Sequence, residues 1–134
     1  MTSAEAIRAR VRSRLVEQRG LVSALLRLRT QLQGSLLIRH MECGKARCAC
    51  HSGRKHGPYY VLSNRSGGRG SFSYLDAGEA ARARTLVLRY REFRRGLQRL
   101  QKVNVELVGL LRRYQQTQLR STGVKLGVRV VART

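Results

Sequence analysis

The chain has 134 residues, which is enough for one domain with a modest hydrophobic core. It has 28 lysines and arginines against 7 acids, which gives a formal net charge of +21. We therefore expect it to attract polyanions, of which nucleic acid is the first candidate. No apolar run approaches the roughly 20 residues of a spanning helix, and we expect no membrane partner.

Residues 1–33 predict one long helix. The run "TSAE" can form a capping box, with Thr2 as N-cap and Glu5 three residues later. Steps of three and four along this segment are typical of a coiled-coil seam. The seam positions are Val11, Leu15, Gln18, Val22, Leu25, Arg29 and Leu32. The N-terminus lacks the apolar region of a secretory signal, which favours a cytoplasmic protein.

Residues 34–76 predict a small β-ribbon. The stretches "SLLIRHME", "PYYVLSNR" and "GSFSYLD" have the composition of short strands. The turn signal "RSGGRG" predicts a hairpin from the last two. We expect Tyr60 and Phe72 to form the small core of the ribbon. Tyr59 and Tyr74 could belong to that core or stack on nucleic-acid bases.

The stretch "CGKARCACHSGRKHGPYY" holds all three cysteines and two of the three histidines. An odd cysteine count argues against a disulfide framework, and clustered reduced thiols more often bind metal. Structural zinc takes four Cys or His ligands, and a bound metal would supply folding energy to a segment with few large apolar residues. The predicted zinc ligands are Cys43, Cys48, Cys50 and His56.

Two alternatives to this ligand set remain open. His51 could replace His56, although it is adjacent to Cys50 and would have to swing across the chain to reach the same ion. The thiols could also be reduced without any metal. Enzymatic activity is not expected, because a catalytic zinc needs an open position and a general base, and only Glu42 lies near the cluster.

Residues 77–116 predict a second long helix. The run "DAGE" offers a capping box formed by Asp76 and Glu79. The heptad a positions are Tyr90, Leu97, Asn104 and Leu111. The d positions are Leu86, Phe93, Leu100, Leu107 and Tyr114. Every step along this seam is three or four residues, which indicates a coiled-coil helix.

A lone Asn at an a position is a known device for fixing register and oligomeric state, so Asn104 favours a homodimer or a higher oligomer. The predicted oligomer contacts are Tyr90, Phe93, Leu97, Leu100, Asn104, Leu107 and Leu111. The alternative is that Asn104 is exposed on a helix that packs on one side only. Residues 117–134 form a basic tail that could be an added strand or a disordered arm.

Together these elements predict an α+β protein that is mainly α. Two long, coiled-coil-like helices flank a small zinc-stabilised β-ribbon and fold back as an antiparallel hairpin.

Residues 34–107 resemble a family of small uncharacterised prokaryotic proteins. The shared pattern runs from "GS-L" through "CGK--C-C" and "HGPY" to a Gly-rich turn, "YL", "Y--F" and "N-EL". The matching positions are Gly34, Ser35, Leu36, Cys43, Gly44, Lys45, Cys48, Cys50, His56, Gly57, Pro58, Tyr59, Leu62, Gly67, Gly68, Tyr74, Leu75, Tyr90, Phe93, Asn104, Glu106 and Leu107. The resemblance implies a metal site and an accessory role near transposases or other mobile elements. It implies no reaction.

The function that the sequence favours is nucleic-acid binding, to DNA rather than RNA, as an accessory or regulator of a mobile element. The candidate phosphate contacts are Arg29, Arg39, Lys45, Arg47, Arg54, Lys55, Arg65, Arg69, Arg91, Arg94 and Arg95. One alternative is an RNA-binding component of a ribonucleoprotein. Another is a coiled-coil assembly adaptor for a recombinase or a capsid protein. A recombinase or a transposase is also a candidate protein partner.

Overall fold

The computed structural model describes residues 2–66 and 68–129 and confirms the predicted fold class. In chain order the elements are α1 (Ser3–Arg27), β1 (Ser35–Met41), a short 3₁₀ helix (Ala49–His51), β2 (His56–Ser66), β3 (Arg69–Leu75) and α2 (Ala77–Leu126). The strands form one antiparallel sheet in the order β1-β2-β3. No helix in these two ranges combines the length and apolarity needed to cross a membrane.

The chain divides into two compact units. The helical unit comprises residues 2–27 and 94–129, and therefore contains α1 and most of α2. The ribbon unit comprises residues 28–93, with the sheet, the cysteine cluster and the first turns of α2.

In the helical unit, α1 begins at the predicted capping box. The Thr2 N–H donates to Glu5 Oε2 at 2.8 Å, and the Glu5 N–H donates to Thr2 Oγ1 at 3.2 Å. This exchange satisfies two N–H groups that the first helical turn leaves without partners.

The predicted end of α1 is wrong by several residues, because the helix stops at Arg27. The Leu32 N–H donates to the Leu86 carbonyl at 3.1 Å instead of to a carbonyl of its own helix. Arg29 and Leu32, which the predicted seam included, therefore lie outside α1.

The helices α1 and α2 pack as an antiparallel hairpin. Its seam keeps Leu25 and Leu107 of the predicted seam, but Val103 and Leu110 are buried in place of Asn104 and Leu111. From α1 the hairpin buries Ile7 and Leu25, whereas Leu15 of the predicted seam is 46% exposed. From α2 it buries side chains whose exposed fractions are 7% or less. These are Val103, Leu107 and Leu110.

Specific contacts hold the hairpin in this rotation. The Gln18 Nε2 donates to Asn104 Oδ1 at 2.8 Å. Leu25 packs where Gly96 has no side chain: a Cβ there would lie 2.5 Å from Leu25 Cδ2. On the opposite side of the seam Glu17 pairs with Arg99 at 2.6 Å.

In the ribbon unit the predicted β-hairpin is confirmed, with β2 and β3 paired from Tyr60↔Leu75 to Ser66↔Arg69. Val61, at the centre of the sheet, is fully buried, and Ala83 and Val87 of α2 are also buried in this unit.

The second helix is longer than predicted. It starts at the expected capping box, where the Glu79 N–H donates to Asp76 Oδ1 at 2.8 Å. It continues to Leu126, so the first ten residues of the predicted tail are helical. The helix ends in a Schellman motif, in which Gly127 has a φ of +66° and the Val128 N–H donates to the Gly123 carbonyl at 2.8 Å. Residues 130–134 of the predicted tail lie outside the described residues.

Candidate metal centre and basic surface

The cysteine and histidine cluster is built by a loop between β1 and β2. Cys43 follows the end of β1, Cys48 and Cys50 lie at the short 3₁₀ helix, and His56 begins β2. The loop contains a tight turn, in which the Cys48 N–H donates to the Lys45 carbonyl at 3.1 Å. The Cys43 N–H also points at the Cys50 Sγ, at 3.4 Å.

The four predicted ligands lie together. The ligand atoms of Cys43, Cys48, Cys50 and His56 are all within 4.8 Å of one another. The Cys43 and Cys50 sulfurs are 3.7 Å apart, and the Cys48 Sγ is 3.3 Å from His56 Nε2. Metal–ligand bonds of roughly 2.1 to 2.3 Å in a tetrahedron place ligand atoms about 3.5 to 3.8 Å apart. These two separations are close to that range, so the four ligand atoms could hold a single metal ion.

His51, the rival fourth ligand, is engaged elsewhere. Its Nδ1 is 3.2 Å from Glu42 Oε2, and its Nε2 is 2.8 Å from the Lys45 carbonyl oxygen. Both ring nitrogens therefore contact the loop, and the side chain ties the turn that contains Lys45 to the end of β1.

The surroundings shift the pKa values of Cys48 and Cys50 in opposite directions. The hydrogen bond from the Cys50 N–H, followed by those with His56 and the neighbouring thiols, lowers the pKa of Cys48 to about 6. For Cys50 the hydrogen bond from the Cys43 N–H acts in the opposite direction, but burial and the adjacent thiols together raise its pKa. Cys48 thus ionises more readily than Cys50, and the thiolate is the form that binds metal.

Gly57 is required beside His56, one of the four predicted ligands. Its φ of +135° lies in a region that side chains rarely adopt, and a Cβ there would lie 2.8 Å from the Arg39 carbonyl oxygen. The Gly57–Pro58 peptide bond is cis. Only glycine lets β2 approach β1 closely at this point, which anchors His56 at the edge of the sheet.

The aromatic residues of the ribbon are distributed differently from the prediction. Tyr60 is half-buried as expected, but Phe72 is 59% exposed, so its assignment to the core is wrong. Tyr59 and Tyr74 are 39% and 63% exposed. Phe72 and Tyr74 are two residues apart in β3 and so share one face, a signal that the alternation of the strand already contained.

All the candidate phosphate contacts are exposed. Those in the ribbon unit are Arg29, Arg39, Lys45, Arg47, Arg54, Lys55, Arg65, Arg69 and Arg91, and those in the helical unit are Arg94 and Arg95. Arg39 has its guanidinium carbon 5.4 Å from the centre of the Phe72 ring.

The predicted oligomer contacts fall into three groups. Leu107 and Asn104 are engaged inside the helical unit, the first by burial and the second by its bond to Gln18. Leu97 and Leu111 are 42% and 51% exposed. The half-buried members are Tyr90, Phe93 and Leu100.

No curated protein and no solved structure matches the chain. The family described as "Domain of unknown function (DUF6788)" matches residues 9–85, which is more than half of the chain. This match covers most of α1, the whole sheet and the complete cysteine and histidine cluster. The chain therefore belongs to the DUF6788 family.

Proposed function

We propose that this chain is a small zinc protein that binds nucleic acid, chiefly double-stranded DNA, through phosphate contacts. Three thiolates and one imidazole form a donor set that suits zinc, and a closed set of four ligands is characteristic of a structural site. The metal would hold the loop between β1 and β2 rigid, so that Lys45, Arg47 and Arg54 present one shape to a partner.

The observation that carries the proposal is the lack of internal neutralisation for the positive charge. Six of the seven acids already have partners within the chain. They are Glu5, Glu17, Glu42, Asp76, Glu79 and Glu106. With 28 lysines and arginines against 7 acids, no pairing within the chain can remove the excess of 21 positive charges, which must be neutralised from outside. A phosphate backbone provides closely spaced negative charges that arginine side chains bind well.

The salt dependence of binding tests this proposal. If the chain neutralises roughly six to ten phosphates, its affinity for a DNA duplex should fall by about 10³ to 10⁵ between about 50 and 200 mM salt. Two unrelated duplex sequences serve as controls and should give similar slopes, because phosphate contacts carry no sequence information. An affinity that barely responds to salt would refute the proposal.

The resemblance to proteins near transposases motivates the biological setting. We propose that the chain acts as an accessory or regulator of a mobile element, and that a recombinase or transposase is its protein partner. Phosphate contacts alone give little sequence preference, so such a partner would supply the target site.

We also propose that the chain associates with a second copy through the hairpin. The motivating observation is that Leu15 and Val22 on α1, and Leu97 and Leu111 on α2, are all at least 39% exposed. Each lies one residue beyond a seam position. In an antiparallel pair, moving one residue along either helix turns the side chain toward the same side of the pair. These four side chains therefore share one face of the hairpin.

A further inference from the structure

One face of the sheet exposes three aromatic rings. The register pairs Val61 with Tyr74 and Ser63 with Phe72, and directly paired residues lie on the same face. Tyr59 is two residues before Val61, so it belongs to that face as well. The three rings are 39%, 59% and 63% exposed for Tyr59, Phe72 and Tyr74.

The rings are close enough to act together. Phe72 and Tyr74 are separated by two residues along β3, or about 7 Å. Tyr59 is the diagonal neighbour of Tyr74 across the strand pair, at about 7 to 8 Å. Val61 lies on the same face and is fully buried, whereas the three rings beside it remain at least 39% exposed. An exposed apolar cluster of this kind marks a binding surface.

The same face carries positive charge. Arg39 is paired directly with Tyr59 and also lies over the Phe72 ring, with 5.4 Å between the guanidinium carbon and the ring centre. Arg65 is four residues after Val61 on β2, on the same side of the strand. None of the three described strands contains Asp or Glu. This combination suits a ligand that is anionic and offers flat apolar groups.

A duplex offers its phosphates but keeps the faces of its bases stacked inside, where exposed rings cannot reach them. Unpaired bases present their faces, and aromatic residues on small sheets stack with them at little sequence preference. We propose that Tyr59, Phe72 and Tyr74 stack with the bases of an unpaired nucleic-acid strand, while Arg39 and Arg65 bind its phosphates. This inference rests on the proposed nucleic-acid binding and assigns the ribbon to single-stranded segments.

The test compares probes of one sequence on the whole 134-residue chain loaded with zinc. The probes are a single DNA strand of about 16 nucleotides, the matching RNA strand and the matching DNA duplex. Phe72→Ala and Tyr74→Ala should each weaken single-strand binding by about 5- to 150-fold and leave duplex affinity within about twofold. Tyr74→Phe keeps the ring and should bind like the natural chain. Ser73→Ala, on the other face of β3, is the matched control.

A second readout reports on the rings themselves. The chain has five tyrosines and no tryptophan, so stacking should quench tyrosine fluorescence on adding the single strand but not the duplex. The quenching should shrink in Tyr74→Phe although the affinity is retained. Equal results with DNA and RNA strands support stacking on unpaired bases from either source.

Several results would overturn the inference. If the alanine variants bind the single strand as tightly as the natural chain, this face does not stack bases. If they lose duplex and single-strand affinity equally, the rings do not select unpaired bases. If polyglutamate binds with the same sensitivity to Phe72 and Tyr74, the ligand is an acidic peptide. Duplex binding without single-strand binding removes this inference alone, whereas failure to bind either removes the proposed function too.

Discussion

His51 and His56 are five residues apart, but only His56 lies among the three cysteines. His56 lies 3.3 Å from the Cys48 sulfur, while His51 contacts Glu42 and the Lys45 carbonyl. We expect His56→Ala to lose most of the bound metal, because it removes one of four ligands. His51→Ala is the matched control and should retain about one zinc per chain. Elemental analysis of both purified variants measures this ratio.

The result that would contradict this assignment is metal loss in His51→Ala with retention in His56→Ala. Absence of metal from the natural chain, purified without chelators, would remove the zinc site altogether. In Cys48→Ser we expect the ribbon to loosen while most of the helical circular dichroism remains. The hairpin has its own buried contacts, which include the fully buried Val103.

The chemical reactivity of the thiols should depend on pH in a predictable direction. The lowered pKa of Cys48, about 6, means that its thiolate predominates above that pH. After metal removal by a chelator, alkylation by iodoacetamide should therefore be faster at Cys48 than at Cys50. Its rate should rise through about pH 6 and then level off. Cys50 should react slowly, because it is buried and its pKa is raised.

Mass spectrometry of the alkylated peptides resolves the three sites. Cys48→Ser is the control and should abolish the fast phase. A single midpoint near pH 8.5, the usual value for a free thiol, would show that the loop does not hold the described geometry without its metal.

At the scale of the elements, three glycines probe the packing of the hairpin. A Cβ at Gly20 or Gly109 would contact nothing within 4 Å, whereas at Gly96 it would lie 2.5 Å from Leu25 Cδ2. Gly20→Ala should raise the free energy of unfolding by about 0.5 to 1 kcal/mol through helix propensity alone. Gly96→Leu should lower it by about 1 to 3 kcal/mol, because the hairpin is overpacked there.

Urea unfolding followed by helical circular dichroism measures both changes. Gly109→Leu is the matched control, since it adds the same side chain at an open helix position. Equal stabilities of Gly96→Leu and Gly109→Leu would mean that Leu25 does not pack against Gly96, and the seam would have to be placed elsewhere.

The exposed face of the hairpin predicts the assembly state of the whole molecule. Light scattering at micromolar concentration should give at least twice the 15.2 kDa of one chain. Leu97→Glu and Leu111→Glu should shift the protein to the monomer without unfolding it, because both side chains are at least 42% exposed within the chain. Val105→Glu, at a position 73% exposed on another side of α2, is the control. A monomer mass for the natural chain would refute self-association through this face.

The cluster of cysteines and histidine and the main elements could be predicted from the sequence. The ligand types predicted a tetrahedral site, although their spacing left His51 open as the fourth ligand. The capping residues Thr2 and Asp76 marked both helix starts correctly. The end of α2 could have been predicted from Gly127, which is a typical C-cap glycine. The basic composition of residues 117–134 instead led to the prediction of a tail.

The amino-acid sequence by itself determined the two long helices, the β-hairpin and the residues that could hold a metal, because these follow from local spacing and side-chain chemistry. Tertiary structure decided which side of each helix is buried. The stretch "VNVELVGLL" is apolar nearly all round, so periodicity permits two seams that share Leu107. The contact of Leu25 with Gly96 and the bond between Gln18 and Asn104 select one of them. Tertiary structure also decided the exposure of Phe72. The alternation of a strand assigns a residue to one face of the sheet, but it does not indicate which elements cover that face.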